Sequence, residues 1–162
     1  MNRIVKLINR MTGEIIEVNS RIARVRRLRS RVGAWASFVR GFMVGCTMKM
    51  VTLTYAPTET GRTAWKAQHI REFMSKVRRH CGDGLVGYAW VAELQQRGEV
   101  HYHVLLVVRS GISLPYPDKA GWWAHGMSRI ETARSPGYVV KYSQKTESEE
   151  REFPEGLRLF GG

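Results

Sequence analysis

The stretch ELQQRGEVHYH, Glu93 to His103, decides the fold. It ends where an apolar run begins, Val104 to Val108, whose aliphatic and β-branched residues read as a buried strand. Upstream, LVGYAWVAEL, Leu85 to Leu94, reads as a second strand. Between the two lie Gln95, Gln96, Arg97, Gly98 and Glu99, a polar segment with a glycine that suits a short hairpin. Side chains alternate along a strand, so His101 and His103 share one face and Tyr102 takes the other. A hairpin centred on Arg97 sets Glu93 directly across from His101. Two imidazoles and a carboxylate on one face form a nitrogen and oxygen donor set that binds a divalent metal and leaves positions open for substrate. A strand histidine is more commonly packed or hydrogen-bonded, so this reading leans on what lies downstream.

The chain has 162 residues, enough for one domain with a real core. Twenty-six Lys and Arg against 14 Asp and Glu give a formal charge of +12. That excess favours a polyanionic partner, nucleic acid before an anionic membrane or a merely soluble basic surface. Cys46 and Cys81 are far apart and form no CxxC pair, which fits a reducing compartment. No leader opens the chain and no apolar run approaches the ~20 residues of a membrane span. The expectation is therefore a protein of the host-cell cytoplasm with no membrane partner. No GxxxxGK[ST] loop is present, so any duplex unwinding is expected to need a separate helicase.

From the start, Ile4 to Ile8 and Glu14 to Val18 flank residues 9–13 as a hairpin. Ser20 fits a helix N-cap, followed by the apolar stripe Ile22, Val25, Leu28, Val32, Trp35 and Val39. The opposite side is rich in arginine. Arg21, Arg24, Arg27 and Arg31 are candidate contacts to a phosphate backbone, and no acidic residue lies between Glu17 and Glu59. Such contacts give affinity and position, not sequence choice. Met48 to Tyr55 is a strand with Thr52 and Thr54, candidate DNA contacts, on one face and Leu53 and Tyr55 on the other. Trp65 to His80 is a helix burying Ile70, Phe73, Met74 and Val77. Gly111 to Lys119 is a loop, and a strand is expected at Met127 to Glu131. His125 reads as structural.

Ser135-Pro136 starts a helix as N-cap and first position, running from Gly137 to about Lys145. Tyr138 and Tyr142 then lie one turn apart on one face, with Lys141 and Lys145 on or near it. By itself this is an amphipathic helix with two anchoring tyrosines. Beside a metal face and a basic surface it becomes a set of parts for cutting and rejoining a strand. A metal can polarise a phosphate, a phenol can attack it, and a lysine can lower the phenol pKa or stabilise charge.

Three motifs in this order resemble the HUH endonucleases, and within them the rolling-circle replication initiators of single-stranded DNA phages and plasmids. They are VTLTY at Val51 to Tyr55, HYH at His101 to His103 with Glu93 upstream, and YVVKYSQK at Tyr138 to Lys145. The resemblance covers about residues 48–146, and FPEGLRLFGG (153–162) looks like the segment that trails the core of phage initiators. It implies an α+β fold, a central antiparallel five-stranded sheet of RRM-like, ferredoxin-related topology with flanking helices. Residues 1–45 form the preceding hairpin and basic helix, 46–150 the nuclease core and 151–162 a C-terminal tail, all in one domain. It implies Mg²⁺ or Mn²⁺ held by His101, His103 and Glu93, with Gln95 or His125 next in line. The partners implied are single-stranded DNA at a replication origin, and a host helicase and polymerase. One tyrosine would become 5′-linked to DNA and the second would serve a later transfer. The third motif also fits a one-tyrosine YxxK form at either Tyr138 or Tyr142, although the use of both is expected. A relaxase, a single-tyrosine transposase, a non-enzymatic RRM-like binding module and a nuclease that activates water stay open as alternatives.

Overall fold

Strand β5, Val100–Arg109, lies at the centre of the molecule, and every residue from Val100 to Val108 is buried. That is the behaviour of an unbroken apolar run covered on both faces. The computed structural model describes residues 4–57, 59, 65–96, 98–148 and 153–162. Around β5 stand β3 (Cys46–Tyr55), β4 (Leu85–Leu94), β6 (Gly126–Ala133) and β7 (Phe160–Gly161), in the order β6-β3-β5-β4-β7 with all neighbours antiparallel. Strand β6 thus extends past both ends of the expected Met127 to Glu131.

The β4–β5 hairpin has the predicted register: Leu94 pairs with Val100 and Glu93 with His101. Arg97, on which that register centres, lies outside the described residues. The turn closes through Gln95 N donating to Glu99 O at 2.9 Å and Gly98 N donating to Gln95 O at 2.8 Å. Gly98 sits at φ +92, where a Cβ would be strained.

Helices cover both faces. α1 (Ser20–Arg40) and α3 (Gly137–Ser148) pack on the histidine face and against each other. Val39 of α1 faces Gly87 of β4, and Tyr142 of α3 stacks on His103. α2 (Ala67–Cys81) covers the other face, where its Arg78 lies over the Tyr88 ring. It buries Ile70, Phe73, Met74 and Val77 as its periodicity predicts.

Element starts differ from expectation for local reasons. Asn19 Oδ1 accepts a hydrogen bond from Ile22 N at 3.4 Å, so Asn19 takes the capping role and Ser20 is the first helical residue. Ile22 is 51% exposed although it continues the stripe, because this first turn leads out of a solvent-exposed hairpin. That hairpin pairs β1 (Ile4–Ile8) with β2 (Ile15–Asn19). α2 begins at Ala67, two residues late. Lys66 is extended, and Trp65 is held outside the helix by donating from Nε1 to Tyr102 Oη at 2.5 Å.

The fifth strand comes from the residues set apart as a tail. Leu157 and Leu159 are buried, Ala92 N donates to Leu159 O at 3.0 Å, and Gly161 pairs with Trp90. The Arg24 guanidinium also donates to the Leu157 carbonyl, which joins α1 to the same segment. Among the described residues no helix is long and apolar enough to cross a membrane.

Two outcomes follow from this packing. Leu157→Ala should cost about 2–5 kcal/mol in a denaturant titration, the range for emptying a closed core site. Below α2, His69 and His125 stack with centroids 3.6 Å apart, and burial is the leading cause that lowers both pKa values below the ordinary one. The unfolded chain therefore binds protons before the folded one as pH drops, so stability present above about pH 6.5 is lost below it. Melting temperatures measured from pH 7.5 downward should fall through that range, and less steeply in His125→Gln.

Candidate active site

The register of three strands builds the site. Thr54 of β3 lies opposite His101 of β5, which lies opposite Glu93 of β4. One step along, Arg129 of β6 lies opposite Thr52, and Thr52 opposite His103. Residues opposite each other across strands share a face, so all six side chains point the same way. They border an open pocket of about 1030 Å³ whose far side is formed by Tyr142 and Lys145 of α3.

The Tyr142 ring lies flat on the His103 imidazole, with centroids 3.5 Å apart and planes 9° from parallel. Lys145 Nζ is 5.5 Å above the Tyr142 ring and 3.6 Å from Glu93 Oε1. The other Glu93 oxygen, Oε2, is 2.7 Å from His103 Nε2. This is the diagonal histidine, not the one directly opposite. His103 Nδ1 is 3.3 Å from Thr52 Oγ1. A threonine hydroxyl both donates and accepts, so Thr52 can support either tautomer of His103.

Electrostatics sort these groups. Burial, then the neighbouring His103, lowers the His101 pKa to about 4, so the ring is neutral at pH 7. Burial alone would raise the Glu93 carboxyl. The hydrogen bond from His103, with the charges of His103, Lys145 and His101, outweighs it and holds the group below its ordinary value. The Tyr142 phenol goes the other way from expectation. Burial, then the carboxylates of Glu131 and Glu93, raises its pKa, and Arg129 only partly opposes them. It is therefore a protonated phenol at neutral pH.

The donor set fits a divalent ion. A neutral imidazole offers a lone pair, and His101 Nε2 is buried with no hydrogen-bond partner. Among the described residues, however, no three His, Cys, Asp or Glu side chains already close on a common point. The reason is visible at Glu93, whose carboxylate is engaged with His103 and Lys145. His103 Nε2 cannot donate to Glu93 and coordinate an ion at once, so loading the site would replace that hydrogen bond.

The other predicted residues lie elsewhere. Tyr138 is 39% exposed and does not border the pocket, and Lys141 is also exposed outside it. Arg24, Arg27 and Arg31 line a separate groove of about 260 Å³ between α1 and the tail, together with Arg158. The Arg21 side chain lies outside the described residues. Of the two substitute ligands, Gln95 borders the pocket, whereas His125 stacks under the opposite face. Sequence reading passed over Arg129 and Glu131, which carry no motif and are revealed only by the pairing of β6. It also passed over Glu99, whose place in the alternation Glu99, His101, His103 was the available signal.

A replication-type α+β module is the class that this sheet and pocket define. Residues 48–147 match the family model described as replication-associated protein ORF2, and the chain belongs to that family. The match runs from β3 through α3, and so contains every pocket residue. The family has a role in DNA replication. No curated protein and no solved structure matches the chain.

One glycine tests how tightly the rim of the pocket is set. A Cβ on Gly126 would sit 2.2 Å from Thr54 O and 2.5 Å from Ala56 N, both rigid backbone atoms. Gly126→Ala should push β6 off β3 beside Thr54, at a cost of about 1–3 kcal/mol in a denaturant titration.

Proposed function

We propose that this protein is a metal-assisted endonuclease and strand transferase of the HUH type, which nicks single-stranded DNA to initiate rolling-circle replication. The observation that carries the reading is Tyr142, stacked on His103 in the pocket that also holds His101, Glu93 and Lys145. A phenol held against a two-histidine, one-carboxylate face is placed for attack on a phosphodiester seated there. The strand order, with β5 between β3 and β4 and α2 linking the outer pair, supports the RRM-like topology.

In this mechanism the Tyr142 oxygen forms a bond to the scissile phosphorus as its proton leaves. The P–O3′ bond breaks, and the 3′ oxygen takes up a proton. DNA is then linked to the protein through a 5′-phosphotyrosine, and the bond energy is kept for rejoining. Lys145 and Arg129 line the pocket and offset the charge that builds on the phosphate. Because the phenol resists ionisation at neutral pH, that positive surround matters at the moment of attack. His101, His103 and Glu93 would hold Mg²⁺ or Mn²⁺, which when bound would supply a Lewis acid to a phosphate oxygen. Tyr138, one turn away on α3, is the second nucleophile, used after the first round. The arginine groove of α1 tracks the DNA backbone.

A covalent-adduct gel with labelled single-stranded origin DNA and Mn²⁺ tests this. Tyr142→Phe should lower the adduct by roughly 10³-fold or more. Tyr138→Phe should keep the first adduct and lose the second transfer. Cleavage without any protein-linked product would replace the tyrosine by water and sink the proposal.

A further inference from the structure

The same pocket contains a second carboxylate with no function in that scheme. Glu99 is 7% exposed, and its Oε2 is buried without a hydrogen-bond partner. Among the described residues one other buried side-chain atom is unpartnered, His101 Nε2. Both residues line the histidine pocket. Glu99 stands two positions before His101, and His101 two before His103, so a strand's alternation carries all three to one face. A buried carboxylate oxygen without a partner is costly, and native proteins tolerate it where an ion or a reacting group completes it.

We infer that Glu99 is a further ligand for the divalent ion, entering from the β4–β5 turn beside His101. This rests on the metal reading proposed above and extends it from three donors to four. Glu93 is engaged with His103 Nε2 and with Lys145, whereas the Glu99 Oε2 and His101 Nε2 have no such engagement. The backbone is fixed where this requires it, since Gln95 N donates to the Glu99 carbonyl and closes the turn. Two imidazoles with two carboxylates make an oxygen-rich set that neutralises a dication. It favours Mn²⁺ or Mg²⁺ over the nitrogen- and sulfur-rich coordination typical of structural zinc.

The test is Mn²⁺ binding to the full chain without DNA, followed by the electron paramagnetic resonance signal of free Mn²⁺ and by the ion's effect on melting temperature. The wild type should bind Mn²⁺ and melt higher with it. Glu99→Gln should weaken binding at least tenfold and lose most of that rise, while its ion-free melting temperature stays equal to the wild type's or exceeds it. A merely structural Glu99 would show the reverse, a lower ion-free melting temperature with Mn²⁺ binding unchanged, and would overturn the inference alone. Absence of Mn²⁺ binding by the wild type would overturn both this inference and the metal reading beneath it. Should the glutamine variant not fold, Glu99→Asp keeps the charge, withdraws the oxygen and gives the same comparison.

Discussion

Pairing register is the constraint on which the rest depends. Strand side chains repeat every two residues, so a slip of one position in the β4–β5 hairpin would send Glu93 to the opposite face from His101 and His103. It would also carry Tyr102 out of its aromatic packing with Tyr55, Trp90 and Trp123. Core and pocket are therefore selected by a single choice. The residues that bury the sheet's other face are those that hold the histidines in place.

Polar groups on the histidine face are arranged so that few go unsatisfied. Thr52 serves His103 from one side and Glu93 from the other, and Lys145 bridges from α3 to Glu93. α3 thus meets the sheet through a ring stack and an ion pair as well as through buried Val139. Those polar links explain why Tyr142, and not Tyr138, faces the pocket: Lys145 lies three residues beyond Tyr142, nearly one turn on, and both reach the same carboxylate face.

Much of this was legible in the sequence because it is written in local periods. The alternation of β3 and β5, the glycine-bearing turn and the 3.6-residue stripe of α2 each fix their own geometry. What stayed hidden depends on distant partners. Nothing in FPEGLRLFGG announces a strand, since only two residues pair and their register is set by Trp90 and Val91. Arg129 and Glu131 look like ordinary surface charges until β6 pairs with β3. The phenol's acidity was misjudged for the same reason, as nearby lysines are visible in the sequence but burial and carboxylates from two other strands are not.

The position of β5 has a bearing on motion. Local openings in a protein span from nearly free fraying to global unfolding, and the innermost strand belongs to the last unit to open. His101 and His103 sit on that strand, with their amides bonded on both sides. α3 lies on the sheet's surface, with Tyr138, Lys141 and Lys145 exposed. The pocket therefore joins two cooperative units of unequal persistence. In amide hydrogen exchange the imidazole half keeps the slow rates of the core, and the phenol half relaxes on the faster clock of a surface helix.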